Sequence, residues 1–196
     1  MAPLTSVLAP LAVGMGIAAA WGALTAIRWR WMLAWLAVLQ LAAFGLIWGP
    51  WPLSQAVAWL VASWFSTAML GWSQRSLPEA ADWLLGDRIL RWAMGALGIL
   101  VALSLAPALA RWLPTTDNVR AWSGLVWLVL GWLHLGLSTE PLRVVTGLLT
   151  VLAGFLVLYA PLEASLLVTG LLTMLELGLA LAGGYLVLLT GRGTTG

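Results

Sequence analysis

Residues 31–74 contain no charged side chain. No soluble domain can build a solvated surface from a stretch of that length. The same stretch is about twice the roughly 20 apolar residues that one membrane-crossing helix needs. It therefore predicts two spanning helices with a turn between them. The turn is legible as Gly49-Pro50-Trp51-Pro52, because proline lacks the N–H a helix requires and clashes with the preceding turn. The rest of the chain follows the same rule. Only 8% of the 196 residues are charged and 62% are hydrophobic, against about 25% charged in soluble domains.

The charges punctuate the chain at span length, and this predicts an all-α polytopic membrane bundle of about seven transmembrane helices. The expected spans are 4–27, 31–49, 54–72, 88–110, 121–138, 143–160 and 165–190. Helices are the plausible spanning element, since every backbone polar group must be paired within hydrocarbon. The chain reads as one integral membrane domain, 1–196. The apolar N-terminus lacks a basic leader and reads as a first span, not a cleaved signal. Residues 73–87 form the longest polar stretch. Ser76, Pro78 and Glu79 resemble a capping box there, which predicts a short interfacial helix or loop.

All nine basic residues are Arg. With seven spans, Arg28, Arg30, Arg75, Arg88, Arg91, Arg143 and Arg192 fall on one side, and Arg111 and Arg120 on the other. The positive-inside rule then places the N-terminus outside and the C-terminus in the cytoplasm; the expected location is a bacterial or archaeal plasma membrane. Trp29, Trp31 and Trp72 mark the inner interface, and Trp48, Trp51, Trp112 and Trp122 the outer one. The segment Arg30–Gly71 can also be laid over Arg143–Ala180 with a two-residue gap. Helices one to three would then be a parallel repeat of helices five to seven.

Glu176 carries the strongest chemical signal. It falls near the middle of the seventh span, where an ionised carboxylate costs a few kcal/mol and residues of this kind usually mark an ion or proton path. Ser165, Thr169, Thr173, Glu176, Ala180 and Gly183 recur at helical spacing and define one inward stripe. His134 is expected at a similar depth on helix five, on a face with Ser123, Trp127, Gly131 and Ser138, so it is a candidate partner for Glu176. Gln40, with Thr169 and Thr173, is a candidate polar lining. Gly14, Ala18 and Gly22 predict close helix packing. Glu163, at the outer end of helix seven, is explained by the helix terminus.

Other chemistry is not supported. Cysteine is absent, a lone His supplies one ligand only, and no phosphate loop, dinucleotide fingerprint or nucleic-acid footprint is present. No metal, cofactor or nucleic-acid partner is expected for this chain, nor catalysis by it alone.

The segment Met174–Arg192, MLELGLALAGGYLVLLTGR, resembles the last helix of the membrane-bound hydrogenase component E family. That family is related to the K-type subunit of respiratory complex I and the C-type subunit of multisubunit cation/proton antiporters. The resemblance implies seven spans with a K-like three-helix unit at 121–190. It implies Glu176 as the proton-path carboxylate and Arg143 as the basic loop residue. It also implies large multi-span antiporter-like subunits as partners, with the chain a subunit of a proton-translocating oxidoreductase. Helix six departs from the K-type pattern, because it carries Thr146 and Thr150 and no carboxylate. The rival expectations are a non-catalytic structural or assembly membrane protein and a small stand-alone transporter.

Overall fold

The computed structural model describes residues 2–75, 85–112 and 118–192. Every regular element among them is an α-helix: α1 (Ala2–Thr25), α2 (Trp29–Ile47), α3 (Leu53–Gln74), α4 (Leu85–Trp112), α5 (Asn118–Gly136), α6 (Pro141–Tyr159) and α7 (Leu166–Arg192). The expected capping box at Ser76, Pro78 and Glu79 lies outside the described residues. Residues 73–74, expected in the interfacial segment, belong to the end of α3.

The protein is a helical membrane bundle. Five helices (α2, α3, α4, α6 and α7) are long and apolar enough to cross a bilayer. Within α1 the stretch Ala9–Thr25 is apolar but shorter. Helix α5 carries Arg120 and His134 and packs against α1, α4 and α6, with His134 on its buried side and Trp122 and Trp132 on its exposed side. Polar groups are tolerated at membrane depth on a side that packs against protein.

The helices α5 and α6 make the closest pair. A Cβ added at Gly154 would sit 2.8 Å from the Gly124 carbonyl oxygen, and one added at Gly147 would sit 3.2 Å from that of Gly131. In hydrocarbon there is little hydrophobic drive between helices, so backbone approach through glycine supplies the packing contacts.

The helices of the two expected three-helix units meet in corresponding pairs. Helix α1 touches α5, α2 touches α6, and α3 touches α7, while α4 leans on α5 and α1. The alignment needs correction in one respect. Helices α2 and α6 have the same length, 19 residues. Residues 48–52 separate α2 from α3, and residues 160–165 separate α6 from α7. No two-residue gap is therefore needed, and the second turn is the longer one because α7 starts only after Ser165.

Two corrections concern faces. Gly14 and Ala18 of α1 point away from the bundle, and a side chain added at Gly14 would meet nothing within 4 Å. The buried face of α1 is instead Ala12, Gly16, Ala19, Ala20, Ala23 and Leu24. Glu163 lies in the turn after α6, ahead of α7. Its carboxylate accepts a bond from the Tyr159 hydroxyl at 2.6 Å, and its carbonyl accepts one from the Trp51 indole at 3.2 Å.

Candidate functional site at the interface of two parallel helices

Helix α3 carries a polar stripe at helical spacing: Gln55, Ser63, Ser66, Thr67 and Ser73 are all buried, with Trp59 among them. Lipid faces the other side of α3 through Val57, Val61, Trp64, Phe65 and Trp72. Helix α7 is divided in the same way. Thr169, Glu176, Ala180, Gly183 and Val187 are buried, whereas Leu167, Leu171, Met174 and Leu181 are exposed. The two polar faces meet, because burial against protein is the favourable place for polar groups in a membrane.

Glu176 sits at the centre of that seam. It lies ten residues after Leu166, and Ser63 lies ten residues after Leu53. The two helices therefore run side by side in register. The Ser63 hydroxyl donates to the Glu176 carboxylate at 2.8 Å, and the Trp59 side chain hydrogen-bonds to the same group. The residue is only 4% exposed. No cationic side chain pairs with it among the described residues.

The seam continues in both directions. On one side the Gln55 amide donates to the Thr169 hydroxyl and reaches the Ser165 carbonyl. Thr173 turns back to the Thr169 carbonyl at 2.8 Å. On the other side the Thr67 hydroxyl bonds to the Gln40 carbonyl oxygen at 3.1 Å. The Gln40 amide nitrogen is buried with no hydrogen-bond partner among the described residues. Thus Gln40, Thr169 and Thr173 lie along one seam with Glu176, joined through α3.

His134 lies elsewhere. It occupies the last turn of α5, since that helix ends at Gly136. The expected depth match with Glu176 assumed a helix starting and ending a few residues later. The charges acting on His134 are those of Arg143 and Arg91. The structure does not pair His134 with Glu176. Its side chain is buried and Nε2 has no partner among the described residues.

Arg143 is buried at the start of α6. Its guanidinium donates to the Ala26 and Ile27 carbonyls, both at 3.0 Å, and to Glu140 at 2.8 Å. It closes the exposed carbonyls at the end of α1, where a cation is favoured. Arg91 does the same for α5, donating to the Leu137 carbonyl and to Ser138. Arg120 bonds to the Leu46 carbonyl at 3.0 Å, near the end of α2. These three arginines thus join helix ends, and Arg143 is not among the groups acting on Glu176.

Sequence reasoning missed the α3 stripe. Its signal was present as Gln55, Trp59, Ser63, Thr67 and Ser73 at steps of four to six residues. Serine and threonine are individually unremarkable in a membrane helix, because each can bond to the carbonyl four residues earlier, as Thr67 also does to Ser63. Among the described residues no group of three or more His, Asp or Glu could hold a metal ion. Comparison with protein-family models, curated proteins and solved structures finds no match.

Proposed function

We propose that this chain is an accessory membrane subunit of an energy-coupling complex of the hydrogenase or complex I kind. In this reading Glu176 carries protons or cations through the membrane. The supporting observation is a carboxyl buried mid-helix between α3 and α7 and held by neutral hydrogen-bond partners. A carboxylate paired with a cation is held ionised by its partner. One held by a hydroxyl can take up and release a proton without stranding a buried cation, and a hydroxyl can switch from donor to acceptor as it does so.

The groups above and below Glu176 suit the same task. Gln55, Thr169, Thr173, Thr67 and Gln40 provide donors and acceptors along the seam. Successive four-residue steps along α3 rise about 6 Å, a gap that one bridging water spans. The missing carboxylate in α6 points to a path of one acid and several hydroxyls. His134, at the far end of α5, takes no direct part in that step.

The rival is a structural subunit in which Ser63–Glu176 is only an interhelical bond. The stand-alone transporter has less support, because α4 runs unbroken through Pro107 and α7 through Gly183-Gly184, whereas such transporters use helices interrupted at the midplane.

The test begins with extraction from the native membrane in mild detergent. Large multi-span subunits and redox proteins should co-purify at stoichiometric level. In that complex Glu176→Gln should leave assembly intact and lower ion translocation by about tenfold or more. A chain that purifies alone refutes the accessory-subunit reading. Full translocation in Glu176→Gln, with loss of assembly in Glu176→Ala, selects the structural rival.

A further inference from the structure

The polar stripe of α3 is interrupted at one position. Gln55, Trp59, Ser63 and Thr67 follow one another at four-residue steps, so they share the buried face of the helix. Three of them carry an amide or a hydroxyl. Trp59 carries a bulky indole, and it is only 3% exposed. An indole donates through one N–H and offers no acceptor. Here the Trp59 side chain is bonded to Glu176.

The two halves of the seam therefore differ. Toward the C-terminal end of α3, hydrogen-bonded groups follow Glu176 without a break. The Ser63 hydroxyl donates to Glu176 at 2.8 Å. The Thr67 hydroxyl lies 3.1 Å from both the Ser63 carbonyl and the Gln40 carbonyl oxygen. Toward the N-terminal end of α3, the next bonded pair is Gln55 with Thr169. Thr169 precedes Glu176 by seven residues, about 10 Å along the helix, which is more than one bridging water spans. Between those levels the stripe holds Trp59 on α3 and Thr173 on α7. The Thr173 hydroxyl is bonded at 2.8 Å to the Thr169 carbonyl of its own helix. A proton relay needs groups that accept as well as donate, and the ring of Trp59 does not accept.

We propose that Trp59 is the barrier of the ion path, its ring barring proton exchange between Glu176 and the Gln55–Thr169 end of the seam. The inference rests on the reading of Glu176 as an ion carrier. In this conformation the carboxyl communicates with the Thr67–Gln40 end. Exchange with the other end requires the ring to leave the seam, so the position of Trp59 decides to which end Glu176 is connected.

Proton leak through the purified full chain in liposomes tests this, driven by a potassium diffusion potential and read with an internal pH dye. The wild type should be tight. Trp59→Gln replaces the ring with a group that both donates and accepts, and it should raise the leak by about tenfold. Adding Glu176→Gln to that variant should restore tightness, which a mere packing defect would not do. Trp59→Phe keeps a ring without the N–H and should stay tight. A tight Trp59→Gln, a leak that survives Glu176→Gln, or a leak in Trp59→Phe overturns the proposal. A second measurement leaves Trp59 in place. The chain has no cysteine, so Ser63→Cys supplies a single thiol beside Glu176. A cationic methanethiosulfonate added from the Gln55 side of oriented vesicles should leave it unlabelled, and labelling from that side overturns the barrier. If Glu176→Gln stops translocation in the complex while Trp59→Gln is tight, only the barrier falls. If Glu176→Gln leaves translocation intact, the reading of Glu176 falls with it.

Discussion

At the scale of single residues, the carboxyl seam separates a chemical role from a packing role. Ser63→Ala removes the hydroxyl that donates to Glu176. Interhelical hydrogen bonds in membranes are worth about 0.6 kcal/mol on average and rarely above ~1.7. Thermal melting in detergent should therefore fall only slightly, while translocation by the assembled complex should fall more steeply. Equal loss of both would assign Ser63 and Glu176 to packing. Arg143→Gln should be much more harmful. Its guanidinium serves two carbonyls and Glu140 at once, and each orphaned buried acceptor costs about 1–3 kcal/mol. The melting temperature and the yield of folded protein measure that loss.

At the scale of helices, glycines that look alike in sequence differ in consequence. A Cβ added at Gly147 of α6 would lie 3.1–3.2 Å from the Gly131 carbonyl and the Leu135 side chain, whereas one at Gly170 of α7 would meet nothing within 4 Å. Gly147→Leu should force α5 and α6 apart and destabilise the bundle by about 1–3 kcal/mol or more. Gly170→Leu should be neutral or mildly stabilising, because it adds helix propensity on an open face. Parallel melting curves of the two variants check this contrast. The same reasoning explains why the small residues of α1 misled. Gly14 and Ala18 have the spacing of a helix-packing motif yet face away from the bundle, whereas Gly22 of the same motif does pack closely, against the Trp35 ring of α2.

At the scale of the molecule, the seven helices give the termini opposite sides of the membrane when each crosses once. The Arg-rich end, with Arg28, Arg75, Arg91 and Arg143, should face the cytoplasm. A reporter active only in the cytoplasm should work when fused after residue 192 and fail when inserted at 113–117. The reverse result inverts the orientation without altering the bundle. The like-with-like contacts of α1–α3 with α5–α7 also place Ser63 and Glu176 opposite each other.

Hydropathy, proline and arginine spacing were enough to locate all seven helices within about three residues of their ends. They also identified the inward face of α7 on which Glu176 lies, because lipid tolerates few other arrangements of so apolar a chain, while the burial of Glu176, Gln40 and His134 is read from the structure. Partnership was not legible. His134 and Glu176 were matched by estimated depth, but the extent of α5 puts His134 in a last turn beside Arg91 and Arg143. The partner of Glu176 is Ser63, more than a hundred residues away. Which helix a polar face meets depends on packing between helices, and periodicity within one helix carries no information about that.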